Sequence, residues 1–214
     1  MNQITLDDVL PHVFEQRTDL VSDVWKQHIR FEKERTYLVG AMSGTGKSTL
    51  CSYLLGYRHD YTGHIHFGQT DVSTLTIADW AEVRQRHVSH LFQELRLFPE
   101  LTAWQNVMIK NNLTHFKGDD EIKVWFDRLG IADKMPCKVG QMSFGQQQRV
   151  AMIRALVQPF DFLLVDEPIS HLDDVNAAIM ADIMMAEAKR QGAGVIVTSI
   201  GKHMKIGYDH TFHL

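Results

Sequence analysis

The sequence predicts an α/β fold in which a mainly parallel sheet surrounds a phosphate-binding loop, with an antiparallel β part near the N-terminus and an inserted helical subdomain. Three observations predict it. The apolar run Tyr37-Leu38-Val39 passes through Gly40-Ala41-Met42-Ser43-Gly44-Thr45-Gly46-Lys47-Ser48-Thr49 into the helix-like Leu50–Leu55. Two more short apolar runs, Phe160–Val165 and Gly194–Thr198, lie downstream on either side of a stretch with helical spacing, as buried parallel strands do. Between Gln93 and Pro159 the texture changes to helical spacing broken by Pro99, Gly118, Gly130 and Pro136–Gly140.

Strand, glycine-rich loop and helix in that order define the core as that of a P-loop NTPase. Backbone N–H groups at Ser43, Gly44, Thr45 and Gly46 can wrap a β-phosphate at the positive end of the new helix. Lys47 is placed to reach the β- and γ-phosphates, Ser48 to offer its hydroxyl to Mg²⁺, and Thr49 to complete the binding segment. Counting back from Gly46 puts Ala41 where the pattern has its first glycine, a mild departure beside Gly40.

Taken in order, residues 4–9 and 24–31 read as strands around a loop at Phe14–Asp19, the second because Asp23–Phe31 alternates apolar and polar. Glu32–Arg35 is a charged turn before the loop strand, and Gly63–Phe67 is a strand after the first helix. Residues 76–86 are helix-like and Val88–Phe92 is the next core strand. Helices are expected at Ala103–Leu113, Asp119–Leu129, Ser143–Val157 and Asp174–Gln191, with Met180, Met184 and Met185 as core filler. Tyr208–Leu214 is a candidate edge strand. The expected organisation is one domain over 1–214, with a core lobe at about 1–93 and 160–214 and a helical subdomain at about 94–159.

Composition is that of an ordinary globule, 44% hydrophobic and 22% charged, and no apolar run is long enough to span a bilayer. A net charge of −4 offers no broad basic field, so no nucleic acid is expected. The N-terminus lacks signal-peptide regions, and Cys51 and Cys137 lack metal or redox spacing, so buried free thiols in a cytoplasmic protein are expected. The 12 histidines are spread out; His64 and His66 share one strand face, read as a polar outer face rather than a metal site.

The second chemical element is Phe162-Leu163-Leu164-Val165-Asp166-Glu167, an apolar strand ending in two acids. Asp166 is placed for the metal's water shell, and Glu167 for polarising a water that attacks the γ-phosphate. The third is Met142-Ser143-Phe144-Gly145-Gln146-Gln147-Gln148-Arg149 ahead of an apolar helix. With these residues the chain resembles the ATP-binding cassette (ABC) family, whose signature reads LSGGQ. Phe92-Gln93 with Leu97–Thr102, and Pro168 with Ser170-His171-Leu172-Asp173, resemble the family's Q-loop and D-loop, so the likeness covers nearly the whole chain.

The resemblance implies two cassettes, as a homodimer or a pair, facing head to tail around two ATP and Mg²⁺. Ser143, Gly145 and Gln146 then touch the nucleotide held by the other subunit, and Asp173 reaches across. Gln93 senses Mg²⁺ and the attacking water, and couples both to the helical subdomain. The implied function is the ATP-hydrolysing motor of a membrane transport complex, peripheral on the cytoplasmic face beneath a separate transmembrane permease. Asp71-Val72-Ser73, Arg86 and Leu97-Phe98-Pro99 look most like the lipoprotein-releasing, macrolide-export and cell-division branch.

Three departures qualify this. Phe144 stands at a signature glycine; its side chain is expected to turn away from the nucleotide, the alternative being weaker closure. The adenine-stacking aromatic falls by spacing at Val13, between His12 and Phe14; Phe14 is the expected stacker and an ordinary packed Phe the alternative. Ser199 stands where the family has a γ-phosphate histidine, so slow hydrolysis through Glu167 is expected, with His203 as a substitute four residues on. Two other functions remain open: an ATP-gated conformational regulator with little hydrolysis, and a soluble cassette outside transport.

Overall fold

A computed structural model describes residues 1–42, 44–169, 172–201 and 203–214. The elements begin with β1 (Gln3–Pro11), β2 (His28–Glu32), β3 (Thr36–Gly40) and α1 (Lys47–Leu54). β4 (Tyr61–Phe67), the short β5 (Thr70–Asp71), α2 (Ile77–Glu82) and β6 (Val88–Leu91) follow. Next come α3 (Ala103–Asn111), α4 (Asp119–Arg128) and α5 (Phe144–Leu156). β7 (Phe162–Asp166), α6 (Asp174–Gln191), β8 (Gly194–Ser199) and β9 (His210–His213) close the chain.

The strands form two sheets, ordered β2-β1-β4-β5 and β6-β7-β8-β3-β9. The first is antiparallel and the second parallel throughout, including its edge strand β9, which pairs Tyr37 with His210 and Gly40 with His213. All five residues of β7 are buried because both faces of the parallel sheet are covered. Phe162 and Leu164 join the apolar cluster of α1 and the antiparallel sheet, while Leu163 and Val165 join that of α3, α5 and α6. The strand therefore carries Asp166 out of two cores at once.

The predicted strand at 24–31 starts only at His28. The Ser22 hydroxyl accepts the N–H groups of Val24 and Trp25, both at 3.0 Å, and Lys26 has φ 59°, so a turn replaces the extended chain. The alternation was real burial without a strand: Val24 and Trp25 are almost fully buried. The helix expected at 76–86 is α-helical only to Glu82 and continues as a wider π turn over Val83–His87. Cys137 is half-buried rather than buried, and Cys51 is buried. His64 and His66 do share the outer face of β4, where His64 Nδ1 meets Asp71 Oδ2 at 2.8 Å. No helix among the described residues is long and apolar enough to cross a membrane.

Candidate nucleotide site

The parallel sheet delivers three strand ends to one place. Gly40 at the end of β3 lies in register with Ser199 at the end of β8, and Asp166 of β7 with Thr198. The Ala41 N–H donates to the Ser199 carbonyl at 3.0 Å, fastening the start of the loop to β8. Gly44 and Gly46 then turn the chain at φ 84° and 106°, a region where L residues with side chains are strained. A Cβ at Gly46 would stand 3.0 Å from both the Phe14 and Trp25 rings. Trp25 supports the loop from the same side, its Nε1 donating to the Thr45 carbonyl at 3.0 Å.

Lys47 opens α1 and is only 7% exposed. Its ammonium donates to Glu167 Oε1 at 2.6 Å and lies 3.7 Å from Asp166 Oδ1. Glu167 is held at φ 50°, with its own N–H on the Thr198 carbonyl at 3.1 Å and Oε1 also accepting from the Ile200 N–H at 2.8 Å. A non-glycine residue fixed in this region by its contacts stores strain where function tends to be. Burial pushes the Asp166 carboxyl above its ordinary value, against the Thr198 hydroxyl that donates to it and the nearby Lys47 charge. Gly44, Gly46, Lys47, both acids and Ser199 thus come together at these strand ends.

An open cavity of about 440 Å³ sits over this cluster, lined by Gly44, Gly46, Lys47, Ser48, Thr49 and Gln93 with Val13, Phe14, Met42, Arg58 and Ile200. Ser43 belongs to the predicted loop but lies outside the described residues, as do Ser170 and His171. Phe14 lines the cavity yet is 6% exposed and packed on Trp25 with ring centroids 6.5 Å apart, so little of its face is left for a base. Val13, at 65% exposure, is the more open neighbour. Ser199 is 2% exposed. His203 is elsewhere, in a groove with Ile169, Ala177, Ala181 and Met185. A smaller cavity of about 40 Å³ is lined by Ser48, Gln93 and Asp166 together. Three oxygen donors facing one space fit a hard cation such as Mg²⁺.

The signature residues stand apart from this cavity. Ser143 caps α5 in a capping box: its hydroxyl accepts the Gln146 N–H at 3.3 Å and Gln146 Oε1 accepts the Ser143 N–H at 3.0 Å. Phe144 is 41% exposed. Arg149 braces this end of α5, donating to the carbonyls of Gly145 at 3.1 Å and Leu129 at 2.7 Å. Asp173 caps α6 by accepting the Asn176 N–H at 2.9 Å. Gln148 Nε2 donates to the Pro168 carbonyl at 2.5 Å, tying α5 to the loop after Glu167. None of Ser143, Gly145, Gln146 or Asp173 lines the cavity over the phosphate loop.

The sequence reading missed Trp25 as the loop's support, Met42 and Ile200 at the rim, and the Lys47–Glu167 ion pair. Only the alternation around Trp25 signalled any of these, and it signalled burial without location.

Known proteins resemble this chain in sequence and in fold. The family model described as ABC transporter matches residues 29–170. A lipoprotein-releasing system ATP-binding protein LolD of Geobacter metallireducens is 34% identical over 78% of this chain and 76% of its own length. A phosphonates import ATP-binding protein PhnC of Lactococcus lactis is 38% identical over 65% of this chain, which spans about three fifths (61%) of that protein. The dimeric structure of MJ0796, a bacterial ABC transporter cassette, superposes with a TM-score of 0.75 at 23% identity, covering 92% of this chain and 87% of that one.

Proposed function

The chain belongs to the ABC transporter family and is an ATPase of it, and from that premise we propose that it is the ATP-hydrolysing motor subunit of a membrane transport complex. One observation carries this reading: a buried lysine under a glycine loop, paired to two strand-end acids beneath an open cavity that Ser48 and Gln93 also line. Thr45, Gly44, Gly46 and Thr49 offer backbone and hydroxyl donors to the phosphates, and Ser43 completes the loop in sequence. Lys47 exchanges Glu167 for the γ-phosphate, which leaves the carboxylate to accept a proton from the attacking water. Ser48, Gln93 and Asp166 would hold Mg²⁺, which supplies charge neutralisation on the phosphates. Val13 and the edge of Phe14 border the base.

Ser143, Gly145 and Gln146, absent from the cavity's own lining, complete the site of a paired cassette, with Asp173 reaching across. A separate permease supplies the membrane path and places the subunit on the cytoplasmic face. Relatives named for lipoprotein release and for phosphonate import align at 34% and 38% identity, so the direction of transport belongs to the permease. The helical region 94–159 serves as the arm that transmits closure. The test is steady-state ATP turnover of the cassette with and without the co-expressed permease. Stimulation by the permease supports the motor, and turnover indifferent to every membrane component overturns it.

Ser199 favours a second reading, an ATP-gated regulator with little hydrolysis. A buried serine cannot bring the positive charge of an imidazole to the γ-phosphate, and loss of one such donor costs about 10²–10³-fold in rate. Tight ATP-dependent pairing with negligible phosphate release would select it.

A further inference from the structure

The small cavity lined by Ser48, Gln93 and Asp166 has a second wall of different chemistry, formed by Cys51 of α1 and His90 of β6. Cys51 Sγ, a ring nitrogen of His90 and a carboxylate oxygen of Asp166 all lie within 4.8 Å of one another, and no other such group exists among the described residues. Both ring nitrogens of His90 are shut off from solvent and have no hydrogen-bond partner among the described residues. Packing explains a buried thiol, but it does not explain an imidazole with two orphaned nitrogens, since buried polar atoms nearly always find a partner. At about 40 Å³ the cavity has room for an ion together with a water.

Thiolate, imidazole and carboxylate are the ligand types of Zn²⁺, and a thiolate is a poor ligand for Mg²⁺. Bond lengths of 2.0–2.3 Å put tetrahedral ligand atoms roughly 3.3–3.8 Å apart, so the three side chains need to close by about 1 Å. We propose that Cys51, His90 and Asp166 form a site for a divalent transition ion of the Zn²⁺ class, its fourth position taken by water. The metal–sulfur bond forms as the thiol proton leaves to solvent, with no change of oxidation state. Because Asp166 is also the acid assigned to Mg²⁺, an ion held here withdraws it from the nucleotide site. That consequence rests on the proposed function; the binding itself does not.

Co²⁺ titration of the nucleotide-free full chain tests the binding, in a Cys137→Ala background so that Cys51 is the one thiol. A thiolate-to-cobalt charge-transfer band should appear, saturate and disappear on adding Zn²⁺. Exposed histidines such as His28 and His64 can take Co²⁺ without producing that band. His90→Gln should weaken Co²⁺ by at least the roughly 10–100-fold that loss of a supporting residue costs, with Asp166→Asn doing the same. Circular dichroism of each variant separates a lost ligand from a lost fold. A cavity that holds only water gives no band from folded Cys137→Ala protein, and this overturns the site. An affinity unchanged by His90→Gln overturns it equally.

Discussion

A lysine ammonium withdrawn from water needs an anion, and Lys47 has Glu167 at 2.6 Å and Asp166 at 3.7 Å. In the proposed function the same pair keeps Glu167 occupied until a phosphate takes its place on the ammonium, so that base and binding site would be released by one event. Glu167→Gln should therefore keep ATP binding, measured by fluorescent-nucleotide titration, and lower turnover by about 10²–10⁴-fold, the usual worth of a positioned base. Turnover unaffected by that change removes Glu167 from the chemistry. At Ser199 the prediction runs the other way. Ser199→His should raise phosphate release in a malachite-green assay by restoring a cationic donor, while the 2% exposure of the seat makes overpacking cost about 1–3 kcal/mol in denaturant melts. Gly46→Ala should abolish nucleotide binding, because a methyl group at φ 106° meets Phe14 and Trp25 at 3.0 Å.

Elements are joined by contacts that sequence spacing does not reveal. Lys117, between α3 and α4, is fully buried at its side chain; it reaches Glu187 of α6 at 2.8 Å and also pairs with Glu121. Orphaning a buried charge costs about 3–5 kcal/mol, and because Arg190 still holds Glu187, Lys117→Met should cost less than that, yet more than the about 0–1 kcal/mol of Lys123→Met at an exposed pair. Burial alone would raise the Glu187 carboxyl, but Arg190 and then Lys117 bring it below its ordinary value. Its contribution is therefore present above the unfolded-state value of about 4.3 and lost as pH falls through the lower folded value. The melting difference between wild type and Lys117→Met should shrink below about pH 4.3, and a constant difference would detach it from Glu187. Strand-end motifs and helices were legible because chemistry and periodicity coincide: β7 reads as an apolar run ending in Asp166-Glu167, and α6 falls on Asp174–Gln191 as spaced. Residues 24–27 misled because alternation reports burial, and Ser22 had already turned the backbone. The Glu187 partner of Lys117 lies 70 positions away, beyond any local pattern.

At the scale of the molecule, the proposed function makes one chain the holder of two half-sites. Lys47, Ser48 and Gln93 line an open cavity, while the capped start of α5, with Ser143 and Gly145, is not among its walls. A helix N-terminus carries about half a positive charge and suits an anion such as a γ-phosphate. If two chains pair head to tail as proposed, each α5 start meets the other's cavity, and the strength of association should follow the nucleotide state. Glu167→Gln protein, unable to clear its ATP, should double its mass in sedimentation or light scattering on adding Mg²⁺ and ATP, and remain single with ADP. Ser143→Arg places a long side chain at the contact and should abolish that doubling without weakening nucleotide binding by the single chain. Phe144, 41% exposed at this same end, gives the finer test. If its ring points away from the partner's nucleotide, Phe144→Gly leaves the dimer constant unchanged; if it props the contact open, the glycine variant pairs more tightly. Single chains under every nucleotide condition, with the permease present, would mean that the two halves never meet and that the motor reading fails.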